Sequence, residues 1–222
     1  MDNGHPLPRS YPIPPPRRSI RFAQAAALFV CLALVLVSAG CGVLGAGITG
    51  SGHTVTKDYD LTAFSRLAVG NAFQVEVTQG PKHGVAITVD DNLVEHLDVT
   101  QAGETLRIKL APGINVRQAT MKAAVTLPEL TGLDLSGAVR ATLTGFSSDK
   151  RLDAELSGAS NVNFDEYPSG DTAAHASGAS RITVAASGNL VADASGASTV
   201  SYVGDPKDVR AHTSGASSVR RK

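Results

Sequence analysis

From residue 130 onward apolar and polar positions alternate in short runs, and each run is broken by the same triplet. Ser-Gly-Ala stands at residues 136–138, 157–159, 177–179, 195–197 and 214–216, so successive serines lie 21, 20, 18 and 19 residues apart. Aligned on the serine, the third position before it reads Leu133, Ala154, Ala174, Ala192, Ala211, and the position just before it Leu135, Leu156, Ala176, Ala194, Thr213. The fifth position after it reads Ala141, Val162, Ile182, Val200, Val219, and the seventh Leu143, Phe164, Val184, Tyr202, Arg221. A period of two on both sides of the triplet predicts two strands per repeat, each with one buried face. Gly permits the corner between them, and the small Ala after it lets neighbouring repeats approach.

Hairpin strands reverse direction, whereas these motifs repeat head to tail. Equivalent strands are therefore expected in parallel register, about 4.8 Å apart. The predicted class is all-β, a single-stranded parallel β-helix (β-solenoid) with regular coils over 130–222 and a less regular N-terminal β portion. The inward column runs from Leu towards Ala and Thr213, so the stack should thin as it proceeds. Its last coil, ending Arg220-Arg221-Lys222, carries charge that discourages end-to-end strand addition.

The N-terminal half carries the same grammar less strictly. Leu67 to Val77 lays over Leu133 to Leu143 in its apolar pattern, placing Asn71 where the repeats have Gly. Alternating runs at Val85–Val89, Leu93–Val99, Thr105–Leu110 and Met121–Leu127 read as strands, with turns at Gln79-Gly80-Pro81, Asp90-Asp91-Asn92 and Ala111-Pro112-Gly113. Gln101-Ala102-Gly103-Glu104 reads as a hairpin turn. No segment after residue 58 has helical periodicity, and ordered structure is expected to begin between Tyr59 and Phe64.

Composition changes the picture mainly at the N-terminus. Residues 1–21 hold six of the eleven prolines and four arginines (Arg9, Arg17, Arg18, Arg21), and no residue from Phe22 to Ile48 is charged. A basic leader before an apolar run ending in small residues is an export signal. Its end admits three readings: a signal-peptidase site at Val37-Ser38-Ala39, a lipobox at Ser38-Ala39-Gly40-Cys41 with lipidation of Cys41, or an uncleaved anchor. All three place the repeats outside the cytoplasmic membrane, with a lipid anchor at Cys41 the preferred form. Arg17-Arg18 reads as part of the basic leader more simply than as a twin-arginine signal. The expected organisation is a signal peptide or anchor at 1–40, a Gly/Ser/Thr-rich flexible tether at 41–58 and the β domain at 59–222.

From Cys41 onward there are 16 basic and 19 acidic residues, and the basic cluster lies in the leader, which argues against nucleic acid as a partner. The folded part contains no cysteine, which removes disulfides and thiolate metal sites. The absence of Trp and the 5% of aromatic residues suit a thin aliphatic interior.

Two columns carry candidate chemistry. Two positions before each serine stand Asp134, Glu155, His175, Asp193 and His212, a surface ladder of ionisable groups that alternation points outward. It reads either as a site for a divalent cation or a basic partner, or, preferably, as a solvated stripe whose acids and imidazoles pair across rungs. Three positions after the serine stand Val139, Ser160, Ser180, Ser198 and Ser217, read as turn caps in preference to a sugar-binding hydroxyl edge. Clustered carboxylates, calcium nonapeptides and phosphate loops are not evident, so no catalytic, metal or cofactor residue is expected.

The opening Gly-Asn-Ala-Phe-Gln-Val-Glu-Val (residues 70–77), the middle Leu-Pro-Glu-Leu-Thr-Gly-Leu-Asp-Leu-Ser-Gly-Ala (127–138) and the Ser-Gly-Ala-Ser coils resemble the head GIN domain family of putative auto-transporter adhesins. The resemblance runs from about Phe64 to the last coil. It implies a bacterial envelope protein of β-helical fold with no established enzymatic activity. The expected function is an exported, adhesin-like binding and structural module, tethered to a membrane and facing a glycan or an envelope protein. The alternative is a carbohydrate-binding or carbohydrate-active β-helix.

Overall fold

The computed structural model describes residues 47–222, so the leader at 1–40 and Cys41 lie outside the described residues. In chain order the N-terminal half forms β1 (Ile48–Thr49), β2 (Thr54–Tyr59), β3 (Arg66–Val69), β4 (Gln74–Gln79), β5 (Gly84–Asp90), β6 (Leu97–Ala102), β7 (Thr105–Leu110), β8 (Val116–Arg117) and β9 (Met121–Leu127). The repeats form β10 (Gly132–Leu135) and β11 (Arg140–Thr144), β12 (Leu152–Leu156) and β13 (Asn161–Ser169), β14 (Thr172–Ala176) and β15 (Arg181–Ala186), β16 (Asn189–Ala194) and β17 (Thr199–Val203), and β18 (Asp208–Thr213) and β19 (Ser218–Arg221). Each Ser-Gly-Ala triplet is thus the corner between two strands, as its flanking alternation requires.

The chain is all-β, and its two large sheets share this repeat between them. One has the order β18-β16-β14-β12-β10-β3-β7-β6 and the other β19-β17-β15-β13-β11-β4-β9-β5-β2. Every repeat supplies one strand to each sheet, paired in parallel with its predecessor. Equivalent residues are register partners: Leu133 with Ala154, Ala154 with Ala174, Ala174 with Ala192 and Ala192 with Ala211. The corner anticipated at Asn71 is the same corner, since β3 and β4 pair in parallel with β10 and β11. Beyond it the pattern changes. β7 and β9 add one more parallel strand to each sheet, and β6, β5 and β2 close the far edges antiparallel.

A column of left-handed corners fixes the register. Gly137, Gly158, Gly178, Gly196 and Gly215 have φ between 72° and 88°, and Asn71 joins them at 61°. The alanine after each glycine donates its N–H to the carbonyl one repeat back, from Ala138 to Asn71 at 2.6 Å through to Ala216 to Gly196 at 2.8 Å. A Cβ on Gly196 or Gly215 would sit 2.7 or 2.8 Å from the preceding corner's carbonyl oxygen, and one on Gly137, Gly158 or Gly178 would overlap that of Asn71, Gly137 or Gly158 outright. The glycine therefore serves both conformation and close approach.

Inside, the alternation delivers what it promised. Leu67, Leu133, Ala154, Ala174 and Ala192 stack as one buried column, facing Val75, Ala141, Val162, Ile182 and Val200 from the other sheet. Burial ends at the last repeat: β18 is exposed throughout, with Val209 38% accessible. The closing basic residues bond back onto earlier parts of the chain, Arg221 to Gly204 O at 2.7 Å and Lys222 Nζ to Asp165 of β13 at 2.9 Å. The widest departure from regularity is at β13, whose register shifts between Phe164 and Pro168. There Tyr167 turns inward and donates its hydroxyl to Leu130 O at 2.8 Å; burial pushes its pKa up to about 12.

Two expectations need correction. The described part of the tether, residues 47–58, is not loose: β1 pairs with β8, and β2 runs antiparallel to β5 from Thr54. The run Leu93–Val99 is not one strand. A 3-10 helix occupies Asp91–His96, turning the fully buried Leu93 into the core before β6 begins. The hairpin turn lies where expected, between Ala102 and Thr105.

The glycine column makes a testable contrast. Gly103 also has positive φ (58°) but open space around its Cβ position. Gly103→Ala is expected to lower unfolding free energy by about 1 kcal/mol, the backbone term alone. Gly178→Ala adds overlap with the Gly158 carbonyl and is expected to lose about 3 kcal/mol or more, read by urea denaturation.

Candidate functional site: a charged column and its grooves

The five ladder residues occupy one outward column of the eight-stranded sheet, as their spacing implied. Asp134 is the register partner of Glu155, Glu155 of His175, His175 of Asp193 and Asp193 of His212. Adjacent rungs set these side chains about 4.8 Å apart. Only one pair closes: His175 Nδ1 donates to Asp193 Oδ2 at 2.9 Å, both side chains being nearly half exposed. An exposed pair of this kind contributes under about 1 kcal/mol.

The same strands bring in residues that the ladder reading missed. The neighbouring outward column holds Arg66, Gly132, Asp153 and Ala173 in register. Arg66 lies across Gly132, where any Cβ would overlap its guanidinium, and reaches Asp153 at 3.5 Å. Arg151 grips the other oxygen of Asp153 at 2.7 Å. Arg107, two positions from Arg66's partner Thr105, caps the ladder column above Ala68. The small residues leave two shallow grooves. One, of about 460 Å3, is lined by Arg66, Arg107, Arg151, Asp134, Asp153 and Glu155 among others. A second, of about 330 Å3, runs past Glu155, His175, Asp193 and His212. Glu155 and His175 line both, so the grooves adjoin.

Asp134 shows how the column is balanced. Burial raises its pKa above the ordinary carboxylate value, and the adjacent Glu155 raises it further, while Arg107 and Arg66 pull it back. Burial together with the one like charge of Glu155 thus outweighs the two nearby guanidinium groups. Among the described residues no three His, Cys, Asp or Glu side chains are placed to hold a metal ion, so the divalent-cation reading of the ladder gains nothing from its geometry.

The serine column resolves in favour of capping. Ser160, Ser180 and Ser198 are no more than 2% exposed. Ser160 Oγ donates to Ser157 O at 3.0 Å, and Ser198 Oγ to Ala176 O at 2.9 Å and Ser195 O at 2.8 Å. Ser217 repeats the Ser198 pattern with Ala194 O and Ser214 O. These hydroxyls satisfy corner carbonyls and present no polar face.

The fold and surface define a repeat protein with two large, mainly parallel sheets and a grooved outer face lined with ionisable side chains. It belongs to the putative auto-transporter adhesin, head GIN domain family, whose model matches residues 63–151 and 141–206. No curated protein sequence matches the chain. Among solved structures it is similar to a putative adhesin from Bacteroides fragilis NCTC 9343, with 21% identity and a TM-score of 0.57, covering 79% of this chain and 100% of that one. It is also similar to a putative lipid binding protein from Parabacteroides distasonis ATCC 8503, with 17% identity and a TM-score of 0.53, covering 79% and 99%. At these identities the likeness is one of fold.

The Asp134 shift has a pH consequence. A raised native pKa means that the folded chain holds this proton more tightly than the unfolded chain. Its contribution is full below the unfolded pKa, about 3.9, and is lost as pH rises through the native value. Asp134→Asn is therefore expected to raise the unfolding midpoint modestly near pH 7 and to leave it unchanged near pH 3, in paired thermal melts.

Proposed function

We propose that this is an exported protein held at the cell envelope by a lipid on Cys41, and that its domain is a parallel β-helix (β-solenoid) displaying the charged column for weak, multivalent contacts. It binds and builds; it does not catalyse. The observation that carries this is the ladder itself. In-register side chains are translated copies of one another, so they run in parallel along the face and do not converge on one reacting atom. On this face Asp153 is already paired with Arg66 and Arg151, and Asp193 with His175, within the chain. Such a face meets an extended partner rung by rung, and affinity comes from the number of contacts made together. The partner is an envelope protein or a glycan outside the cytoplasmic membrane, and family membership supports an adhesin-like role.

A second reading keeps a foothold in the larger groove. Asp134 and Glu155 stand side by side on neighbouring strands, which lie about 4.8 Å apart, and a retaining glycosidase uses two carboxyl groups about 5–5.5 Å apart. Release of reducing ends from a polysaccharide panel, lost in Glu155→Gln, would favour that reading over display.

Two measurements test the main proposal. Cys41→Ser is expected to move the protein from the membrane fraction to the soluble exported fraction; unchanged fractionation removes the lipid anchor. Bead-clustered protein is expected to bind envelope preparations about a hundredfold more strongly than monomer. The triple variant Asp134→Asn, Glu155→Gln, Asp193→Asn should abolish that gain. Wild-type binding by the triple variant would show that another surface is used.

A further inference from the structure

The segment Gly47–His53 is bound to the body as a strap. Ile48 N–H donates to Asn115 O at 2.8 Å and Gly50 N–H to Arg117 O at 3.1 Å. Asn92 grips the strap from the other side, its Nδ2 donating to Thr49 O at 2.9 Å and its Oδ1 accepting from Ser51 N–H at 3.2 Å. Asp91 N–H reaches His53 O at 2.8 Å, and the Asp91 carboxylate accepts from Ser51 Oγ.

Beside these contacts lies Asp90, 1% exposed. Its Oδ2 accepts from Thr120 N–H at 2.9 Å. Its Oδ1 is buried without any partner, and among the described residues no other buried side-chain oxygen or nitrogen is left so. No Lys, Arg or His among the described residues forms an ion pair with this carboxylate. The strap backbone packs directly on it: a Cβ on Gly50 would overlap Asp90 Oδ2 and stand 2.8 Å from both Gln118 O and Ala119 Cα. Gln118 itself has φ 47°.

A buried carboxylate with neither a counter-charge nor a full set of hydrogen bonds is strongly disfavoured. A single water supplies a donor but leaves the charge uncompensated. A hard cation answers both deficits, and carboxylate and backbone carbonyl oxygens are its usual ligands.

We propose that Asp90 anchors a hard-cation site, of the calcium class, that the strap Gly47–His53 and the loop Arg117–Thr120 close over, with backbone carbonyls such as that of Gln118 completing the shell. The bound ion locks the strap to the body. The segment through which the chain enters the domain is then held firmly when calcium is present and loosely when it is not.

The test uses full-length protein with calcium chloride, magnesium chloride or chelator. Isothermal titration is expected to show about one equivalent of bound calcium, with weaker magnesium binding because magnesium dehydrates reluctantly. Hydrogen exchange at residues 47–53 and 117–120 should slow by about tenfold or more in calcium, and the unfolding midpoint should climb with calcium concentration. Asp90→Asn should abolish all three responses. Should that variant fail to fold, the wild-type titration decides alone. Absence of bound calcium, with strap exchange equal in calcium and chelator, would overturn the proposal.

Discussion

Each repeat of this protein turns through a left-handed glycine whose neighbour's amide bonds to the corner one repeat back. Those short bonds, 2.6–2.8 Å along the whole column, admit no side chain between successive corners. Once the corners are superposed, the strands on both sides must lie in parallel register, because the number of residues from corner to core is constant. Every column in the molecule follows from that, from the aliphatic interior through the capping serines to the ionisable ladder. Asn71 is informative because it takes the same backbone position at φ 61° with a side chain attached. There the corner starts the column, with no glycine corner behind it to collide with, and its side-chain oxygen is free to accept the Leu110 amide at 2.8 Å.

Packing changes along the column while the corners stay fixed. Leu133 and Leu135 give way to Ala174 and Ala176, and these columns stay Ala at 192 and 194, each Leu-to-Ala difference removing about 2 kcal/mol of apolar transfer per site. The narrowing rungs offset this with buried hydroxyls. Ser180, Ser198 and Ser217 all reach carbonyls of an earlier rung, worth about 1 kcal/mol per bond. The interior is thus graded from hydrophobic packing towards hydrogen bonding.

The repeats were legible because glycine and period-two alternation are local signals, and register then makes local signals global. The ladder from Asp134 to His212, the corner at Asn71 and the hairpin at Gly103 could all be read without coordinates. What escaped reading depends on contacts between distant residues that no repeat aligns. Residues 47–53 have the composition of a linker, and contacts with Asn92, Asn115 and Arg117, some forty residues on or more, make them a strap. Leu93 sits in an alternating run, yet burying it calls for a 3-10 turn there. Arg66 and Arg107 join the groove because β3 and β7 enter the sheet out of chain order, and Asp90 was hidden in what reads as an ordinary acidic turn.

The ladder's geometry also limits what it can do. Exposed ion pairs exchange partners at little net free energy, since each is worth under about 1 kcal/mol. A ligand group that displaces His175 from Asp193 therefore gains almost nothing at that rung. Specific affinity for a small molecule would need convergence, which side chains related by pure translation do not provide. An extended ligand is different: after the first contact each further rung adds its small gain without a second loss of translational freedom. A regular register of this kind fits the extended, multivalent contact proposed above better than a compact ligand.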